Sequence, residues 1–168
     1  AFGAYSYNYG LIEAVAGVGV AGTATATGSV TSSAFGDAYL YSDGMITADA
    51  FGLGASTSHA YGANVFGYVD ATAYIYGSIH ATASTGDLGA AFSRGIDVTA
   101  TNGAAYLYND GYIYAQSTTG SGAGSSAIAL GALVSGPTSA SLQGNGTVDA
   151  QANAGSYGSA IAIGAMVY

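Results

Sequence analysis

The chain has 168 residues, of which 50% are hydrophobic, 28 are Gly, 15 are Tyr and none is Cys or Trp. Its formal net charge is −8 and Arg94 is its single Lys or Arg residue, which excludes the cationic surface that nucleic-acid binding requires. No apolar run approaches the ~20 residues of a membrane-spanning helix, and the lack of Cys excludes both a disulfide scaffold and a thiolate metal site.

The first recurrent element is a short segment in which Tyr alternates with other residues, as in Ala4-Tyr-Ser-Tyr7. Successive side chains of a strand point to opposite faces, so this alternation predicts a strand with its Tyr side chains outward. Five copies occupy residues 4–7, 38–41, 73–76, 105–108 and 140–143, the last of them without Tyr.

The second element begins with Gly and alternates Ile and Ala with polar residues, as in Gly44-Met-Ile-Thr-Ala-Asp-Ala50. The leading Gly recurs at steps of 34, 33, 34 and 35 residues, and a fixed period of this length is typical of solenoids and other repeat arrays. The alternation predicts a strand that buries Ile and Ala and exposes the polar residues. The predicted internal column comprises Ile12, Ile46, Ile79, Ile113 and Val148.

A third element ends in Gly and falls halfway between successive copies of the second. Its Ala and Ser positions are predicted to face inward, and its Thr, aromatic, Arg and aliphatic positions outward. The copies occupy residues 23–28, 58–62, 91–95, 127–131 and 160–164. Each repeat of about 34 residues therefore predicts two coils of about 17 residues. The expected fold is an all-β solenoid of about ten coils, roughly 50 Å long at ~4.8 Å per coil and of open handedness.

Turn sequences separate the predicted strands, as at Ser42-Asp-Gly44, Asn109-Asp-Gly111 and Asn145-Gly146. The same dipeptides also favour β-hairpins, so a stack of hairpins shares these local signals. The columns hold one residue type through five repeats, which favours coils stacked on coils.

Residues 1–168 are interpreted as one repetitive segment without capping repeats. Residues 164–168 followed by 1–5 reproduce residues 28–39 with two residues fewer. Since free-standing solenoids usually carry polar terminal caps, we expect the segment to be a slice of a longer chain or fibre.

The Asp/Asn-Gly turns, the x-Ile-x-Ala-x-Ala strands and the Gly- and Tyr-rich connectors resemble the passenger repeats of bacterial autotransporters and related giant β-solenoid adhesins. The resemblance covers the whole chain and is one of composition and period. It implies secretion, an extracellular or cell-surface location, and a role in adhesion or biofilms.

No catalytic, cofactor or metal site is predicted, and we expect the protein not to be an enzyme. His59 and His80 lie in different elements without acidic partners at ligand spacing, and are interpreted as outward polar residues. Asp43 and Asp110 suggest either calcium ligands or turn formers, and the turn is favoured because calcium-loop patterns are absent.

The candidate contact face is a double column of outward Tyr side chains, with members on alternate coils and hence about 10 Å apart. We expect it to bind a second copy, a carbohydrate, or a host or abiotic surface. The predicted function is a structural or adhesive extracellular filament. The alternatives are a self-assembling, amyloid-like matrix fibre and an ice- or surface-binding solenoid built on the Thr run at residues 23–27. The two columns of the candidate contact face are Tyr5, Tyr39, Tyr74 and Tyr106, and Tyr7, Tyr41, Tyr76 and Tyr108.

Overall fold

The computed structural model describes residues 3–168, which wind five times around one axis as a parallel β-solenoid. Every turn adds one strand to each of three five-stranded sheets, and each strand pairs only with its equivalents in neighbouring turns. The tyrosine sheet contains β1 (Ala4–Asn8), β4 (Ala38–Ser42), β7 (Ala71–Ile75), β10 (Ala104–Asn109) and β13 (Ser139–Gln143). The isoleucine sheet contains β2 (Leu11–Val18), β5 (Met45–Gly52), β8 (Ser78–Ser84), β11 (Tyr112–Thr118) and β14 (Thr147–Asn153). The bent sheet contains β3 (Ala21–Ser33), β6 (Ala55–Gly67), β9 (Ala90–Ala100), β12 (Ser126–Ser135) and β15 (Ser159–Val167).

The expected ten coils of about 17 residues are wrong, because one turn takes the whole repeat of about 34 residues. The second and third sequence elements never stack on each other, because they belong to different sheets within the same turn. Five strands at ~4.8 Å spacing make a stack of roughly 20 Å rather than 50 Å. The hairpin alternative is also excluded, because every strand pairing is parallel.

The predicted internal register of the isoleucine sheet is confirmed. Ile12 pairs with Ile46, Ile46 with Ile79, and the column continues through Ile113 to Val148. The three central Ile side chains are fully buried. Removing such aliphatic surface from water stabilises the stack by about 2 kcal/mol per side chain.

The interior has two parts that differ in side-chain size. Opposite one another, the isoleucine sheet and the first half of the bent sheet bury mainly Ala, which lets the two backbones approach closely. Where Ser replaces Ala its hydroxyl is satisfied, since Ser93 and Ser117 hydrogen-bond across the seam at 2.9 Å. The larger Ile, Leu and Val side chains fill the wider part next to the tyrosine sheet.

A column of Gly bends each long strand of the bent sheet. In β6 the inward phase runs through Ser58 and Ala60, then shifts by one residue so that Gly62 and Ala63 are both buried. A Cβ at Gly62 would overlap the side chain of Ile79 and the carbonyl oxygen of Gly95. Glycine is therefore required here by close packing, and the bend directs the second half of the strand toward the tyrosine sheet.

Short corners connect the tyrosine and isoleucine sheets, as the turn sequences predict. At the first corner, the Asn8 side chain accepts a hydrogen bond from the Gly10 N–H at 3.1 Å and donates to the Ser42 hydroxyl of the next turn at 3.2 Å. Asn109 repeats the arrangement, accepting from the Gly111 N–H and donating to the Thr147 carbonyl. Side-chain amides thus tie successive corners together.

One charged pair lies on the outer side of the bent sheet. Asp97 is only 4% exposed although its side chain is in the outward phase, because Arg94 covers it and forms a salt bridge with it. The Thr99 hydroxyl donates to the same carboxylate at 2.6 Å. Residues 3–168 contain no helix long and apolar enough to cross a membrane.

Candidate functional site

The outer face of the tyrosine sheet carries a continuous group of aromatic side chains, here called the tyrosine ladder. All eight Tyr residues of the predicted contact face belong to it, and the structure adds Tyr9 at the corner after β1. Tyr7 is 59% exposed and Tyr76 42% exposed, so the ladder is open to solvent. Its members are Tyr5, Tyr7, Tyr9, Tyr39, Tyr41, Tyr74, Tyr76, Tyr106 and Tyr108.

The two predicted columns are wrong in the third turn. Tyr74 pairs with Tyr41 and Tyr108, whereas the partner of Tyr39 and Tyr106 is Thr72. Tyr76 follows the end of β7, as Tyr9 follows the end of β1. The ladder consequently has three columns rather than two.

The predicted 10 Å gap between rings is also wrong, because every turn presents this face. Ring centroids of neighbouring members lie 5.5–6.4 Å apart, with tilts of 36–58° between ring planes. Aromatic pairs favour such tilted contacts over face-to-face stacking. Thr72 leaves a gap in its column, and Tyr74 bridges it diagonally to Tyr39 at 5.6 Å and to Tyr106 at 5.8 Å.

Partial burial changes the acidity of the inner rings. Desolvation, followed by the electrostatic influence of Tyr74 and other ladder members, raises the pKa of Tyr39. Desolvation and the nearby Asp43 carboxylate raise the pKa of Tyr41. Tyr39 and Tyr41 are therefore uncharged at neutral pH.

Carboxylates border the ladder at both ends of its strands. Asp37 and Asp70 directly precede β4 and β7, while Asp43 and Asp110 occupy the corners that follow β4 and β10. Three of the four accept backbone hydrogen bonds from the next turn: Asp37 from Asp70 at 3.3 Å, Asp70 from Ala104 at 2.7 Å, and Asp110 from Asn145 at 2.8 Å.

The interpretation of the corner aspartates as turn formers stays a prediction, because the Asp110 carboxylate joins its corner to the next turn and to Tyr108, and the Gly111 N–H within the corner is accepted by Asn109. The backbone acceptor role of Asp110 is the main reason that its pKa lies below the usual range, and a hydrogen bond from Tyr108 adds to the effect. Within residues 3–168, no three His, Cys, Asp or Glu side chains are close enough to hold a metal ion.

The two His residues lie on different sheets, both in outward positions as predicted. His59 on β6 stacks on Tyr61 at 6.2 Å and meets Phe92 of the next turn at 6.0 Å. His80 on β8 meets Tyr112 and Tyr114 of β11 edge-on. Each therefore takes part in aromatic packing.

The Thr run of β3 faces outward, but the strands of the following turns do not repeat it. Thr23 pairs with Thr57, whereas Thr25 pairs with His59 and Thr27 with Tyr61. A regular Thr lattice, which the ice-binding alternative needs, is not continued on this sheet.

No family model, curated protein or solved structure matches the chain. The β-solenoid architecture rests on the structure itself. The resemblance to autotransporter passenger repeats, the extracellular location and assembly into a fibre stay predictions.

Proposed function

We propose that this chain is a structural and adhesive segment of an extracellular filament, in which stacked coils supply stiffness and the tyrosine ladder contacts a second surface. The observation that carries the proposal is the continuous ring-to-ring contact of nine Tyr side chains on one outer face. Ordered aromatic patches on protein surfaces usually mark interaction sites.

The size of the face supports this role. Strands of five or six residues, four of which carry ladder Tyr, give an area of roughly 20 Å by 15 Å. Tyr combines broad apolar contact with a hydroxyl that tolerates water, so such a face remains hydrated when free and binds when apposed. Because contacts between rings of successive turns already order the side chains, little side-chain entropy is lost on binding.

The coil stack supports the structural part of the proposal. All three sheets run through the five turns with matching register, and backbone groups pair with the turns above and below. A segment of this kind transmits force through parallel hydrogen-bond ladders. The extracellular setting is the part that rests on the resemblance to secreted adhesin repeats.

The test replaces ladder residues while leaving the interior unchanged. Tyr106→Ser with Tyr108→Ser on β10 should leave the far-ultraviolet circular dichroism spectrum intact and reduce adhesion to coated surfaces. Tyr112→Ser with Tyr114→Ser on β11 is the matched control, with the same chemistry in the same turn but on the isoleucine sheet. Undiminished adhesion of the β10 variant, or equal loss in the control, would contradict the proposal.

A further inference from the structure

We infer that the occupant of the tyrosine ladder is an extended polypeptide segment with Arg or Lys at alternate positions. The inference rests on the proposed contact role of the ladder and specifies its partner. It is carried by the pattern of β4 and its flanks, where Asp37, Tyr39, Tyr41 and Asp43 follow one another at every second residue.

The charge of the chain favours a cationic partner. Nine acidic residues are set against Arg94, and Arg94 is engaged on the bent sheet, where it pairs with Asp97 and lies 5.4 Å from the Phe92 ring centroid. The chain thus offers its own ladder no cation. Two ladders packed face to face would bring their bordering carboxylates together, and like charges across an interface are unfavourable.

The ladder itself suits cations as well as apolar groups. The face of a Tyr ring attracts Arg and Lys side chains placed within about 6 Å of its centroid. Tyr39 and Tyr41 are half-exposed and Tyr7 is 59% exposed, so part of each ring is open to a partner. The exposed carboxylates of Asp37 and Asp43 lie beside these rings and add charge attraction.

The spacing matches an extended peptide. Alternate residues of a strand are roughly 6.7 Å apart, and Asp37 and Asp43 are therefore separated by roughly 20 Å along the strand direction. A peptide laid along this direction has the same period on its own facing side. Its successive cationic side chains would meet a carboxylate, two ring faces and a second carboxylate.

The binding test uses a fluorescent peptide of alternating Arg and Ser, and a second peptide of the same composition with its Arg residues in one block. Fluorescence anisotropy with the full chain should show at least about threefold tighter binding of the alternating peptide. Affinity should fall as ionic strength rises toward about 0.15 M. Equal affinity for the two peptides would overturn the spacing argument.

Two double variants with the same net charge separate local recognition from general attraction. Asp37→Asn with Asp43→Asn should weaken binding of the alternating peptide about fivefold or more, because both ends of the site lose charge. Glu13→Gln with Asp49→Asn removes two charges from the isoleucine sheet. This variant should change the affinity for the alternating peptide less than about twofold. Equal weakening by both would mean that only net charge matters, and the inference would fail.

A third comparison distinguishes failure of this inference from failure of the proposed function. Loss of adhesion in the Tyr106→Ser/Tyr108→Ser variant, without binding of either peptide to the parent chain, would preserve the contact role and overturn the cationic partner. The cationic partner would also be overturned if a neutral oligosaccharide bound more strongly than the alternating peptide. In that case its binding would be unaffected by Asp37→Asn/Asp43→Asn. Retained adhesion in the Tyr variant would overturn the proposed function instead.

Discussion

Tyr108 donates a hydrogen bond of 2.7 Å to the Oδ2 atom of Asp110, two residues further along the chain. The other carboxylate oxygen of Asp110 accepts the backbone N–H of Asn145, so the pair joins the ladder to the next turn. The hydrogen bond to Asp110 is the main reason that the pKa of Tyr108 is raised, with desolvation second. The pKa of Asp110 moves in the opposite direction.

The raised pKa values predict loss of stability in alkali. Tyr39, Tyr41, Tyr108, Tyr112 and Tyr114 all hold their protons more tightly in the fold than at the reference value of 10.0. Unfolded chains ionise first, so the stabilisation is complete below pH 10 and is lost as pH rises through the raised pKa values. Thermal unfolding followed across that range should show the decline.

Phenolate absorbance supplies the direct measurement. A titration of the folded chain should show a late-ionising group of tyrosines that is absent in denaturant. Tyr108→Phe should remove one late proton and leave the others. Coincident folded and denatured titration curves would contradict the assignment.

We expect the carboxylates of Asp70 and Asp43 to differ in how much they stabilise the fold. Its Oδ1 atom accepts the Ala104 N–H at 2.7 Å, so Asp70→Ala leaves that donor without its partner and should cost about 1 kcal/mol. Asp43→Ala changes an exposed carboxylate at the other end of the same face and should alter stability by less than about 0.5 kcal/mol. Hydrogen exchange at the Ala104 amide should accelerate only in the Asp70 variant.

In the isoleucine sheet, adjacent residues face the interior and the solvent, so substitution by Asp should affect stability differently at the two positions. Ala115 is fully buried between Ala81 and Ala150, so Ala115→Asp places a charge in the interior and should cost about 3 kcal/mol or more. Gln116 faces outward beside Thr82 and Gln151, and Gln116→Asp should cost less than about 1 kcal/mol. Equal denaturant midpoints would contradict the register.

Side-chain alternation was sufficient to predict the strands of the first two elements and the start of the third, with their inward faces. The third element was expected to end at its Gly, whereas the strands of the bent sheet continue past it, as in β6 (Ala55–Gly67), where the inward phase shifts by one residue after Gly62. The columns that begin with Ile12 and Ala24 are those that the sequence indicates, because one buried face specifies register strongly. The number of strands per turn was not predicted correctly. Alternation reports which face is buried but says nothing about which strand is the neighbour, and the Ala-rich second and third elements are similar enough to suggest one shared stack.

The predicted arrangement of the tyrosine columns was wrong for a related reason. The Ala-Tyr pairs of the first element suggest that Ala73 matches Ala38, but the observed partner of Ala38 is Ala71. The corner glycines Gly44 and Gly77 carry the correct signal, because the distance from strand to corner is constant when measured back from them. The bordering role of Asp37 and Asp70 was not predicted, since it depends on hydrogen bonds between turns that no local pattern shows.

The corner glycines also provide a direct test of how closely the turns stack. A Cβ added at Gly77 would overlap the carbonyl oxygen of Gly44 in the preceding turn, whereas one added at Gly10 has no neighbour within 4 Å. Neither residue has a positive φ, so the difference between them is one of space.

Gly77→Ala forces two backbones apart and should cost about 3 kcal/mol. Gly10→Ala should be neutral, or stabilising by about 0.5 kcal/mol because alanine restricts the unfolded chain. Chemical denaturation of the two variants measures the difference directly. Equal stability would mean that the turns are further apart at this corner than the structure shows, and the cost should then reappear on substituting Gly62, where Ile79 fills the space.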